Sequence, residues 1–331
     1  MEMKRLKGTF WNATEGRLGA PVRLVLQLAL TLSFAFVGVV GLGSLLSYGR
    51  HHGLLQGVNK ETFDQIGNVV IALFATSLII LSFKIGARKI EHRDFSIYGV
   101  VLSRLWMKQF LMGLGLAAGL MTFVFVVELS AGWIHITGYL GVTKPENILV
   151  ISLLFSLVKV IAVGIYEELI FRGLILRNFG EGLSGLGGLG LRSSQVLALL
   201  LSSLLFAAIH LTNLNSGAGS TAGIFFIGIF FGLGYLATGQ LAIPIGLHMA
   251  WNFFQGVVYG FPVSGDKEPA CLLLTRQSGS DLFTGGSFGP EAGLVGIAAA
   301  VLGILVLLLC FRRENRTAVN RGWLPRRVSQ G

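Results

Sequence analysis

Long apolar runs separated by short polar stretches follow one another along almost the whole chain. Residues 22–47, 67–86, 109–131, 148–179, 194–211, 220–237, 241–262 and 291–311 each form such a run. About 20 apolar residues suffice for a helix to cross a bilayer core, so the pattern predicts an all-α fold, a polytopic membrane bundle of about eight transmembrane helices. The fourth run is longer than a crossing requires and must tilt or protrude. Only Thr238-Gly239-Gln240 separates the sixth run from the seventh, which predicts a tight antiparallel pair. Gly115 and Gly119 in the third run, and Gly228 and Gly232 in the sixth, place small residues one turn apart, where neighbouring helices can approach closely.

Composition agrees. Of 331 residues, 53% are hydrophobic and only 13% charged, whereas water-soluble domains carry about a quarter charged residues. Residues 22–311 read as one bundle, with a basic arm at 1–21 and a basic tail at 312–331. Cys271 and Cys310 are too few for a disulfide framework and lack the spacing of a thiolate zinc site.

The net charge of +10 is placed unevenly. Nineteen Lys and Arg fall on one side of the predicted topology: Lys4, Arg5, Lys7, Arg17 and Arg23 in the arm, six between Lys84 and Lys108, Arg177 and Arg192, and six in the tail. Five fall on the other: Arg50, Lys60, Lys144, Lys267 and Arg276. The positive-inside rule therefore predicts cytoplasmic termini. The long basic arm, the over-long first apolar run and the lack of an A-x-A-like site argue against a cleavable signal peptide. Beside a membrane, a basic tail suits anionic lipid better than nucleic acid. The Gly-rich stretch 180–192 reads as a connector. Its Gly182-Leu183-Ser184-Gly185 matches the G-x-S-G of rhomboid-type serine proteases but lies outside the apolar helix that a membrane-embedded nucleophile would need. Glu128 and Lys159 read as structural, near enough to helix ends to snorkel or pair.

Three polar clusters interrupt the apolar runs. A charged or imidazole side chain inside such a helix costs on the order of 2–3 kcal/mol unless it meets a partner or a water-filled cavity. In the fourth run, Glu168 and Arg172 are four residues apart and can pair. Glu167 is turned by about 100° from Glu168, cannot be satisfied by the same arginine in the same way, and is left facing the bundle interior. Desolvation favours the protonated form of a carboxyl group, which suits a glutamate to general-base work near neutral pH. The fifth run ends with Phe206 and His210. In the seventh, which Pro244 helps start, His248 and Asn252 share a face. Each cluster alone also fits a structural role: a charge cluster, an interfacial histidine, an interhelical hydrogen bond. Together they offer a base, two imidazoles and an amide, enough to activate water and stabilise an oxyanion. Glu167, His210 and His248 would also make a zinc set, although the local motif H-E-x-x-H is absent.

At these residues the sequence resembles the CPBP family of intramembrane proteases, which includes CAAX prenyl endopeptidases and bacteriocin-processing or Abi-like proteins. The family's E-E-x-x-x-R, F-x-x-x-H and H-x-x-x-N correspond to Glu167-Glu168 with Arg172, Phe206 with His210, and His248 with Asn252. The Phe171-Arg172-Gly173 continuation and the stretch 285–291 resemble bacterial members, and the protease core would span about 148–290. The resemblance implies an intramembrane endopeptidase in which Glu167 activates water and Glu168 with Arg172 holds it. His210 would orient the water, and His248 and Asn252 would stabilise the oxyanion. No cofactor is expected, with zinc left open. The expected partners are the bilayer and a protein or peptide substrate in or at the membrane, prenylated in the best-known cases. The expected location is a bacterial plasma membrane. The competing readings are a non-catalytic scaffold or immunity-type binding protein of the same fold, and a transporter. Helix rise alone places Glu167, His210 and His248 at heights of about 18, 24 and 10 Å, which a shared site must reconcile.

Overall fold

The computed structural model describes residues 10–12, 15–53, 57–58, 60–143, 148–184 and 186–311. The expectations for Lys4, Arg5, Lys7, Lys144, Gly185 and the tail 312–331 lie outside these residues. A two-stranded ribbon, β1 (Trp11–Asn12) and β2 (Arg17–Leu18), precedes α1 (Ala20–His51). Then follow α2 (Lys60–Lys89), α3 (Arg104–Ser130), β3 (Ile134–Val142), α4 (Leu149–Leu183), α5 (Leu191–Ile209) and α6 (Ala218–Thr238). The chain continues through α7 (Ala242–Asn252, prolonged by a π-helical turn Phe253–Val258), β4 (Ala270–Gln277) and α8 (Leu294–Cys310). The molecule is a helical membrane bundle. Among the described residues a helix overlaps each of the eight predicted runs, and six of these helices are long and apolar enough to cross a membrane.

Local chemistry sets the helix ends. Pro21 stands in the first turn of α1, where its missing N–H costs nothing. Ser103 caps α3 by accepting from the Trp106 N–H at 3.1 Å. Gly239 ends α6 in the left-handed conformation, φ 67°. The interior is apolar around Phe171, Phe206, Phe230, Phe231 and Trp251, while Leu32, Val150, Leu204 and Leu309 face outward. In a bilayer that outward face meets lipid.

Close helix crossings depend on glycine, though not on all the predicted ones. A Cβ on Gly228 or Gly232 would meet Ser203 or Leu199 of α5, as the spacing predicts. Gly115 and Gly119 have nothing within 4 Å of where a Cβ would stand. The α3 contact falls instead on Gly113, which turns toward Ile243 O, opposite Gly246 of α7 against Phe110 O. The spacing identified the right helix but the wrong face.

The antiparallel ribbon of β3 and β4, paired from Ile134↔Gln277 to Val142↔Ala270, was not expected. It marks one end of the bundle, together with the segments 212–217 and 262–293. The other end gathers the N-terminal segment, the loop after α2 and the last turns of α4. There Arg17 and Arg23 both bridge Glu91 and Glu181, and Arg177 lies 3.6 Å from Glu91. The turn after α6 belongs to this end too, since Leu241 N–H donates to Gly99 O at 2.8 Å.

Candidate active site

Glu167 and Glu168 close the regular part of α4, and the backbone then widens into a π-helical stretch, Leu169–Leu176. The same widening follows Asn252 in α7. π-helical insertions concentrate at functional sites. Gly164 lets the two helices meet here: a Cβ on it would lie 2.7 Å from Met249 Cγ, the residue after His248.

The predicted Glu168–Arg172 pair is present and fully buried. Arg172 Nη1 donates to Glu168 Oε1 at 2.8 Å, and Nη2 donates to Gly228 O at 3.1 Å. Its guanidinium lies 4.6 Å from the Phe206 ring centroid and 5.5 Å from that of Phe231. The cation is therefore held by a carboxylate, a carbonyl and two aromatic faces, which offsets its removal from water. Glu168 Oε1 also accepts from His248 Nδ1 at 2.8 Å. The resemblance implied that Glu168 and Arg172 hold Glu167. In the structure both Arg172 and His248 bond to Glu168, and the His248 ring stands between Glu168 and Glu167.

With Nδ1 engaged, His248 presents Nε2, which lies 3.8 Å from Glu167 Oε2. His210 ends α5 with Nδ1 2.6 Å from Phe206 O. A carbonyl only accepts, so Nδ1 carries the proton and Nε2 remains the ring's other polar atom. Glu167, His210, His248 and Asn252 all line one cavity of about 400 Å³, while Glu168 and Arg172 lie behind its wall. The height difference expected from helix rise is absorbed by the fold. The turn leading into α7 lies beneath the 95–99 loop, with Leu241 fully buried, so α7 begins inside the bundle rather than at its surface.

The cavity has a polar rim that the sequence reading did not identify. Lys159, two turns before Glu167, pairs as expected, with Asp266 at 3.2 Å and Glu268 at 3.0 Å, and the pair forms part of the rim. Ser264 and Gly265 continue the wall. Asn213 Nδ2 donates to Ser264 O at 3.0 Å, and the buried Glu291 accepts from Ser264 N–H at 2.6 Å. Ser264 has φ 49°, an uncommon conformation for a residue with a side chain, held here by these bonds. Glu291 closes the 285–291 stretch already noted as resembling bacterial relatives; that stretch was the signal for it.

Among the described residues no three His, Cys, Asp or Glu side chains converge at ligand spacing. Glu167, His210 and His248 as arranged do not form a metal cage. A second groove of about 390 Å³, lined by apolar residues such as Leu157, Ile161, Met249 and Phe253, shares Val160 with the site cavity.

Residues 149–254 match the family model described as type II CAAX prenyl endopeptidase Rce1-like, a stretch that contains all six site residues predicted from the motifs. No curated protein and no solved structure gives a significant match.

Proposed function

We propose that this chain, similar over residues 149–254 to type II CAAX prenyl endopeptidases, is an intramembrane protease that hydrolyses a peptide bond with a water activated by Glu167. One observation carries this reading. Glu167 lines the polar cavity, yet its Oε2 is shielded from solvent and has no hydrogen-bond partner among the described residues. His248 Nε2 lies 3.8 Å from it, and a carboxylate that shares a cavity with two imidazoles and an amide is placed to take a proton from water.

Glu167 accepts a proton from a water bound between it and the histidines, and His210 Nε2 orients that water. The hydroxide adds to the peptide carbonyl carbon. Negative charge collects on the carbonyl oxygen, where the Asn252 amide N–H can donate and where His248 Nε2 donates when the ring, its Nδ1–H already bonded to Glu168, carries both protons. Glu168, backed by Arg172, fixes the His248 ring so that this edge is presented without reorganisation. Glu167 then returns its proton to the leaving nitrogen, and the bond breaks. The substrate is a membrane-associated protein or peptide, prenylated or carrying an apolar segment, and the apolar groove that meets the cavity at Val160 suits either.

Glu167→Gln tests the base. It keeps shape and hydrogen-bonding capacity and removes the proton acceptor. Comparing membrane proteomes of cells carrying the wild type or the variant should show an uncleaved substrate accumulating with the variant. Loss of a general base costs about 10²–10⁴-fold in rate. Wild-type cleavage by Glu167→Gln would rule out this role.

A further inference from the structure

The rim of the cavity and the basic surface of the protein lie at opposite ends of the bundle. Of the cavity-lining residues, Thr212, Asn213, Leu214 and the run from Val263 to Asp266 all belong to the end marked by β3 and β4. This end is tied together locally: Asn213 to Ser264, Gly265 N–H to Phe288 O at 2.8 Å, and Ser264 to Glu291. Toward the other end the cavity is closed. Glu168, Arg172, Phe171, Leu174 and Leu247, all buried, lie between its floor and the network of Arg17, Arg23, Glu91 and Arg177. Among the described residues, ten of the Lys and Arg counted for the basic side belong to that closed end, against four of those counted for the other. Basic loops stay in the cytoplasm during insertion, and acidic neighbours count for little in that rule.

We propose that the site is entered from the extracytoplasmic side of the membrane, so that the bond cleaved belongs to a membrane-tethered segment exposed on that side. The substrate class rests on the hydrolase reading above; the side of entry does not. A tail tethered on the cytoplasmic leaflet would face the basic end, where buried side chains bar the way to Glu167. A segment leaving the outer leaflet meets Leu214 and the Ser264 wall directly.

Sidedness can be read by cysteine labelling in whole cells. The chain has two cysteines, which Cys271→Ala and Cys310→Ser remove. Leu214→Cys, 70% exposed at the rim, and Ser184→Cys, exposed at the basic end, then serve as single reporters. Leu282→Cys, 61% exposed beside the rim, is a second reporter should the Leu214 variant fail to assemble. With a membrane-impermeant maleimide, the rim cysteine should label equally in intact and permeabilised cells, and Ser184→Cys only after permeabilisation. The reverse pattern, or labelling of both from outside, overturns the proposal. Because labelling does not depend on hydrolysis, its failure leaves the Glu167→Gln experiment to judge the hydrolase reading separately.

Discussion

Glu168 sits at the junction of two demands, one from Arg172 and one from His248. Removing one partner of a buried ion pair leaves an uncompensated charge, at a cost of about 3–5 kcal/mol. Glu168→Gln should therefore lower stability by that order, seen as a lower unfolding temperature in detergent. Adding Arg172→Met removes the stranded cation and should restore much of the stability, but not activity, because His248 Nδ1 still lacks its carboxylate. Recovery of both together would show that Glu168 serves only the arginine. Glu291 gives a second test. Burial pushes its carboxyl from 4.5 up to about 7, against the pull of the Ser264 N–H, the Gln255 and Ser264 side chains and His248. The folded protein then holds this proton more tightly than the unfolded chain. Its contribution is complete below pH 4.5 and is lost as the pH rises through about 7. Unfolding temperatures of wild type and Glu291→Gln, measured across this range, should show the wild type losing ground to the variant as pH rises and running parallel above it. Parallel curves throughout would mean that Glu291 does not titrate on unfolding. The two glutamates also show what a sequence displays. Glu168 and Arg172 are four apart on one helix, so their pairing was readable from spacing. Glu291 meets Ser264 across 27 residues of chain, a contact that no periodicity encodes.

The apolar runs marked the helices to within about seven residues, the largest gap being at Lys60, because lipid demands long uninterrupted stretches. They could not show the π-helical turns after Glu168 and Asn252, which depend on how helices dock rather than on residue type. Nor did they show β3 and β4, which lie outside the apolar core and pair across more than a hundred residues of chain. Helix contact faces were half legible: the small-residue spacing succeeded in α6 and failed in α3, where Gly113 rather than Gly115 or Gly119 meets a neighbour. That difference has a measurable consequence. A Cβ on Gly246 would stand 2.2 Å from Phe110 O and 2.9 Å from Leu114 N, both backbone atoms that cannot swing aside. Gly246→Ala should force α3 and α7 apart and shift His248 two residues on. Overpacking of this kind costs about 1–3 kcal/mol. Gly115→Ala meets nothing within 4 Å and should be neutral or stabilising by about 0.5–1 kcal/mol, since glycine is the poorer helix former. Unfolding in detergent, with hydrolysis measured alongside, distinguishes them: equal effects would mean that the α3–α7 crossing does not depend on its glycines.

At the scale of the molecule, chemistry and charge occupy different ends of one bundle, and each end has its own fastening. The rim is tied by hydrogen bonds to loops, the closed end by arginines and glutamates that the sequence offered only as a tally of basic residues. The tally gave a direction but no contacts, because Arg17, Arg23, Glu91, Arg177 and Glu181 come from three distant parts of the chain. In the fold, Glu91 is fully buried and bridged by both Arg17 and Arg23, with Arg177 3.6 Å away. Glu181 shares these arginines, but its side chain is 25% exposed and water can replace it. Glu91→Gln should therefore destabilise this end strongly, by the roughly 3–5 kcal/mol of a broken buried pair, while Glu181→Gln should cost much less. The loss has a local signature. Arg17 is only 4% exposed in the native fold and shielded from protease. Once Glu91 no longer holds it, β2 detaches from the bundle and trypsin cuts after Arg17 under conditions that leave the wild type whole. The rim lies at the opposite end, so a cysteine at Leu214 should keep its labelling in the same variant. If trypsin cuts both proteins at the same rate, the N-terminal segment is held by its apolar contacts, and the buried arginines contribute little to keeping it in place.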